Sequence, residues 1–286
     1  MDDSFYEKTL NYNFITKFLH KNKTKSLLNF LNKYFKNNNG KVCKILDIGC
    51  GPSSIFRDIL LINKNIEYMG IDIREDFIKL SNERYSSYKQ FKSKQIDCED
   101  FLSENKDFDI VISFDSFEHI PLQKRNNIIN LIFETNCKYL FVNVPNELGL
   151  AILIKNLGSF LMGYIRHKEY SLRDTINAFF YRLDSIETHY DGHKGFDWRV
   201  LNYILKYYFE VKVITSPFKI IPKFLSPTIF FICSNNLNKN IAEKIKKNAY
   251  FMSNKYFFDY EICLKALEDN NNNINLALNF LRTKNK

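Results

Sequence analysis

Apolar runs of strand length recur along this chain, with helical periodicity between them. The first five are "KILDIG" (44–49), "IEYMGIDI" (66–73), "FKSKQID" (91–97), "FDIVISF" (108–114) and "KYLFVNV" (138–144); "FEVKVIT" (209–215) and "TIFFICS" (228–234) come later. Strands alternating with helices at this spacing predict a mostly parallel sheet covered on both faces, which is why several runs are apolar throughout. The last two runs have Pro217, Pro222 and Pro227 between them and little room for a helix, so they predict an antiparallel edge. Ahead of the first strand, residues 24–36 place Leu27, Leu28, Leu31 and Phe35 on one helical face and end at "NNNG".

The alternation is interrupted between the fifth strand and a helix near 197–207, where residues 147–196 form an insertion. It begins "LGLAILIKNLGSFLMGYI" (148–165), apolar but broken by Lys155, Asn156, Gly158 and Gly163. A transmembrane helix needs about 20 predominantly apolar residues, so this is a poor span. Its readings, in order, are an active-site lid, an ordinary buried helix and a membrane-surface contact. Beyond the last strand, "NKNIAEKIKKNAY" reads as a helix. Ile262, Leu264, Ala266 and Leu267, then Ile274, Ala277, Leu278 and Leu281, recur at helical spacing on either side of an Asn tetrad. Asn tolerates the backbone needed to leave one helix and can cap the next. The organisation expected is a helical segment over 1–39, an α/β domain over 40–235 and a helical module over 236–286.

Composition adds limits to this picture. An apolar fraction of 45% over 286 residues suits a folded core with an appendage. The formal charge of +9 is concentrated at the ends: residues 1–40 carry seven Lys against three acids, and 236–286 carry nine Lys or Arg against five. Basic ends can meet phosphates or an anionic membrane, yet no polybasic run or RNA-binding signature accompanies them, and a chain rich in Asn and Lys has a compositional source for the charge. Cys43, Cys50, Cys98, Cys137, Cys233 and Cys263 include no CxxC pair, which argues against zinc and a disulfide framework and suits a cytoplasmic setting; no metal site is expected. The opening "MDDSFYEKTLNYNF" lacks the layout of a secretory signal.

Candidate chemistry starts at "LDIGCGPSSIF" (46–56). A strand, then Gly49 and Gly51, then a helix near Ser53 or Ser54 can bring a ligand against backbone amides at a helix start. Packing alone could also use such a turn. Asp72 closes the second strand about 20 residues on, where a carboxylate can accept hydrogen bonds from a ribose diol; a helix cap is the alternative. The GxGxxG of a dinucleotide site is absent, since the turn reads Gly49-Cys50-Gly51-Pro52-Ser53-Ser54.

Taken in order, "ILDIGCGPSS", "GIDI", "IDCEDF", "FDIVISFDSFEHI" and "LFVNVPNE" resemble the motifs of class I S-adenosylmethionine-dependent methyltransferases over about residues 40–235. The resemblance implies a Rossmann-like, seven-stranded, mostly parallel sheet with helices on both faces, a helical lid insertion and S-adenosyl-L-methionine as cofactor. It implies that Asp47, Gly49, Cys50 and Gly51 face the methionine part, Asp72 the ribose and Asp97 with Cys98 the adenine edge, that Ile73 also belongs to the cofactor site, and that Phe114 lines the methyl-donor pocket. Ser53 stands where many relatives have glycine; Ser53 or Ser54 is expected to cap the following helix.

For transfer to a hydroxyl, a base must take its proton. His119, beside Glu118 beyond the fourth strand, is one candidate, with a capping or packing role as the alternative. "ETHYDGHKGFDW" (187–198) adds His189, Asp191 and His193, and resembles the segment before the last crossover helix in quinone-biosynthesis and sugar O-methyltransferases, which implies a substrate or proton-transfer role for His193 and, after it, His189. "CLKAL" and "NNINLALNFLR" resemble the ubiquitin-associated domain and the amino-terminal module of elongation factor Ts, which implies a protein partner or dimer contact. The expected function is methyl transfer to a small-molecule, glycan or lipid-linked acceptor; RNA methylation and a non-catalytic scaffold are the alternatives.

Overall fold

The computed structural model describes residues 14–37, 40–135, 137–161, 170–186, 194–216, 221–235, 248–249, 252, 260–270 and 273–284. They belong to two compact units, residues 1–235 and 236–286. The first is built on seven strands: β1 (Cys43–Ile48), β2 (Ile66–Asp72), β3 (Phe91–Gln95), β4 (Ile110–Phe114), β5 (Tyr139–Pro145), β6 (Glu210–Ser216) and β7 (Thr228–Ser234). Their order is β3-β2-β1-β4-β5-β7-β6. Five are parallel; β7 runs antiparallel to both β5 and β6. The antiparallel pair expected at the end of the chain is present, with β7 slotted inside β6.

Helices cover both faces. On one, α1 (Phe14–Asn37) and α2 (Ser54–Ile62) bury Leu27, Leu31, Phe56 and Ile59 against Ile45, Tyr68, Ile112, Phe141 and Phe230. Residues 24–36 form the helix their periodicity predicts, and α1 extends it back to Phe14. On the other face, α4 (Cys98–Glu104), α5 (Leu122–Glu134) and α8 (Trp198–Tyr208) bury Leu102, Ile128, Ile132, Leu201 and Leu205 against Leu46, Val111, Val142 and Phe231. α3 (Glu75–Tyr85) links β2 to β3.

The insertion contains α6 (Leu150–Leu161) and α7 (Leu172–Phe179), gathered on a small core of Ile152, Tyr170, Ala178 and Ile186. The reading of 148–165 as an ordinary buried helix needs correction, because α6 buries Ala151 and Ile152 but leaves Leu153, Ile154, Leu157 and Phe160 exposed. Gly149 starts it with a left-handed φ of 61°, and a Cβ there would collide with the Tyr181 hydroxyl.

In the second unit, α9 (Tyr260–Asp269) and α10 (Ile274–Lys284) bury Cys263, Ala266, Leu267, Ala277 and Leu281 with Ala249 and Met252. The Asn tetrad supplies both caps: the Asn270 side chain donates to the Ala266 carbonyl at 2.7 Å, and Asn273 Oδ1 accepts from the Leu276 amide at 3.1 Å. Ile262 points outward instead of into this core.

Phe56 is fully buried with its ring 4.9–5.2 Å from those of Tyr68, Tyr85 and Phe91. Phe56→Ala is expected to cost about 3–5 kcal/mol, read as a lower denaturant midpoint at unchanged slope.

Candidate functional site

Strand order reverses between β1 and β4, and the carboxyl edge of the sheet beside such a reversal is the position where open α/β sheets bind ligands. Gly49 leaves β1 with a φ of 66°, and a Cβ there would run into the Ser116 side chain that follows β4. Glycine is therefore required twice, by conformation and by close approach across the switch point. Gly51 is also left-handed, with a φ of 52°.

Ser53 continues the pattern with a φ of 53°, a conformation that costs a side-chain-bearing residue roughly 1 kcal/mol. It occupies the N-cap position of α2 but makes no side-chain cap bond, which corrects the capping role expected for it. Its hydroxyl is buried instead, 3.1 Å from the hydroxyl of Ser81 on α3, which also lies 3.1 Å from the Gly51 carbonyl. Gly70 on β2 leaves the space: a Cβ there would sit 2.9 Å from Cys50 Sγ and 3.1 Å from Ser53 Oγ.

Asp72, at the end of β2, binds the turn directly. One carboxylate oxygen accepts from the Gly51 amide and the other from the Arg74 amide, both at 2.9 Å. Each oxygen retains a second lone pair for a ligand hydroxyl. Next to it, Ile73 is 68% exposed, a large apolar surface at a ligand-binding edge. Asp97 caps α4 through the Glu99 amide at 2.9 Å and receives Lys124 Nζ; Cys98 begins that helix. Phe114 ends β4, 5.8 Å ring to ring from Phe230, and Asp115 turns away from the strand with a φ of 48° while its amide donates to the Asn143 carbonyl. The carboxyl ends of β1, β2, β3 and β4 thus bring together the turn, Asp72, Asp97 and Phe114.

Asp47 lies under the turn, 3% exposed, and accepts a hydrogen bond from the buried Tyr68 hydroxyl. Burial pushes its carboxyl up to about 7, the Tyr68 hydrogen bond opposes that shift, and the charge of Asp72 adds to it. Tyr68, which the sequence presents as one more apolar strand residue, is the partner that was missed, together with Gly70, Ser81 and Ser116.

His119 is exposed in a single 3-10 turn (Phe117–His119), beside the buried Glu118. His189, Asp191 and His193 lie outside the described residues. The residues that follow them are well anchored: Lys194 pairs with Asp174 of α7 at 2.9 Å, the Gly195 amide donates to the Tyr170 hydroxyl at 3.1 Å, and Phe196 lies 4.9 Å from the buried Arg125 guanidinium of α5. A cleft lined by Lys44, Glu67, Lys89 and Lys106 occupies the opposite edge of the sheet, away from these groups.

Comparison with known proteins agrees with this geometry. A family model described as a methyltransferase domain matches residues 39–173. Among solved structures, magnesium protoporphyrin IX methyltransferase from Synechocystis PCC 6803, with bound SAH, superposes with a TM-score of 0.50 at 14% identity, over 78% of this chain and 87% of that one. The citrinin polyketide synthase CMeT domain gives 0.50 at 13% identity over 74% and 52%, and the small RNA methyltransferase HEN1 gives 0.50 at 14% over 74% and 25%. No curated protein matches the chain. The first unit therefore has the Rossmann-like fold of these methyltransferases, and residues 39–173 of it are the stretch that is similar to the methyltransferase-domain model.

The raised carboxyl of Asp47 has a pH signature. Between about 4 and 7 the folded state holds a proton that the unfolded state has released, so this group's contribution to stability falls as pH rises through that window. Asp47→Asn is expected to flatten the fall and to be at least as stable as the parent at pH 8 in denaturant titrations; an unchanged slope would refute the assignment.

Proposed function

We propose that the chain is an S-adenosyl-L-methionine-dependent methyltransferase acting on a hydroxyl of a small-molecule, glycan or lipid-linked acceptor. The observation that carries this reading is Asp72, held at the carboxyl end of β2 by the Gly51 amide with lone pairs left for a ribose diol. The surroundings fit the rest of the cofactor. Glycines 49 and 51 leave room for close approach, Ile73 offers an apolar surface to a flat heterocycle, and the Asp72 carboxylate suits a ligand with a cationic sulfur and an ammonium group. The cofactor, when bound, supplies an electrophilic methyl group.

The chain's own residues supply alignment and proton handling. Asp97 with Cys98 would meet the adenine edge, and Phe114 would exclude water from the donor pocket. His193, with His119 and His189 as further candidates, would take the acceptor proton, and the insertion would cover the acceptor. Methylation of RNA is the second reading, supported by the chain's +9 charge and by the fold shared with a small RNA methyltransferase.

Calorimetric titration with S-adenosyl-L-methionine tests the cofactor. Binding is expected, and Asp72→Ala is expected to weaken it about tenfold or more, the scale of a lost charged hydrogen bond; folded protein that fails to bind would remove the assignment. Incubation with methyl-labelled cofactor and fractionated lysate then tests the acceptor, with label expected in small molecules, glycans or lipids. Label in RNA selects the second reading. His193→Ala should lower turnover by about 100-fold or more while leaving cofactor affinity unchanged.

A further inference from the structure

Helix α6 is amphipathic in the reverse sense. Leu150, Leu153, Ile154, Leu157 and Phe160 follow i, i+3, i+4, i+7 spacing and make a single stripe, yet all are exposed, Leu157 at 60% and Phe160 at 67%. Two of its polar residues, Lys155 and Asn156, turn toward the protein. Lys155 forms an ion pair with the fully buried Glu147, and Asn156 donates to Thr175 of α7 at 3.1 Å. A helix that turns Lys155 and Asn156 toward the protein beside Ala151 and Ile152, and presents five large apolar side chains outward, is built to be covered by something else.

The surface continues beyond α6. On α7, Leu172, Ile176 and Phe180 are exposed at i, i+4, i+8, Leu172 at 77%. The Phe224 carbonyl accepts from the Ala151 amide at the start of α6, which sets the exposed Phe224 beside the stripe.

Among the described side chains around this surface, the exposed charges are cationic. Arg173, Arg182 and Lys223 are exposed, and Arg182 lies 5.6 Å from the ring centre of Phe180. The neighbouring acids are withdrawn into ion pairs: Glu147 with Lys155, and Asp174, its side chain only 15% exposed, with Lys194. Apolar residues projecting among exposed cations, with Glu147 and Asp174 neutralised, complement a bilayer whose headgroups are anionic. α6 itself is too short to cross one, and among the described residues no helix is long and apolar enough to do so.

We propose that α6 and α7 dock in the interface of an anionic lipid bilayer, with Leu157, Phe160 and Leu172 inserted among the acyl chains and Arg173, Arg182 and Lys223 at the headgroup phosphates. This surface stands independently of the methyltransferase reading. If both hold, the acceptor is amphiphilic and reaches the site from the membrane.

Flotation of the full chain with vesicles of phosphatidylcholine alone, or of equal parts phosphatidylcholine and phosphatidylglycerol, tests the docking. Binding is expected to the mixed vesicles and to fall with added salt. Leu157→Glu with Phe160→Glu should reduce it about tenfold or more, and Arg173→Glu with Arg182→Glu by a similar factor. Both pairs lie on the surface, so thermal melting should match the parent and show that the fold is kept. A parent chain that stays unbound with both vesicle types, or a Leu157→Glu, Phe160→Glu variant that floats like the parent, overturns the proposal. So does lipid-free self-association abolished by that variant, which would give the face to a second copy of the chain. Cofactor titration on the same samples keeps the two readings apart: docking without cofactor binding counts against the methyltransferase reading alone, and cofactor binding without docking counts against the membrane surface alone.

Discussion

The carboxyl edge of the sheet depends on one backbone excursion. Between Ile48 and Ser54 the chain passes from β1 into α2 through left-handed conformations at Gly49, Gly51 and Ser53, and this path aims the Gly51 amide at Asp72. The carboxylate in turn fastens the turn to the start of α3 through Arg74. Without the excursion, the turn would lack its tie to Asp72 at the end of β2 and Ser116 could not close against Gly49. The cost of placing serine in the left-handed region is partly offset by burying its hydroxyl against Ser81, in space that Gly70 leaves open.

The sheet supplies the rigidity that makes such a turn useful. Two apolar cores, one on each face, hold β1 and β4 side by side although β2, β3 and three helices separate them in sequence. Asp47 shows the other side of that rigidity. It stands at a core position, its Tyr68 partner compensates only part of the cost of burial, and its proton is retained to a pH well above the ordinary carboxylate range.

The insertion inverts the logic of the sheet. Around the sheet, helices turn apolar faces inward and polar faces to solvent; α6 turns Lys155 and Asn156 inward to Glu147 and Thr175 and keeps Leu150, Leu153 and Leu157 outside. Both arrangements satisfy the same rule, that buried polar groups must be paired. They differ in where they leave the apolar surface. Asn146, which donates to the Lys223 and Ser226 carbonyls and accepts from the Leu148 amide, secures the insertion to the loop before β7.

Much of the architecture was legible in the sequence. Apolar periodicity located the strands to within about two residues, because strands buried on both faces leave an uninterrupted apolar signal that little else produces. Spacing from the glycine turn to Asp72 and Asp97 indicated the carboxyl edge, since each lies where a strand must end. The Asn tetrad announced two helix ends, because local side-chain capping acts over a few residues and is written locally. What only tertiary structure decided were relations between residues far apart in the chain. The hydroxyl of Ser53 went to Ser81 instead of a helix amide, Tyr68 found Asp47, and the apolar stripe of α6 faced outward; periodicity shows that a helix has two faces, while the direction each one points is set by which polar partners the rest of the fold provides.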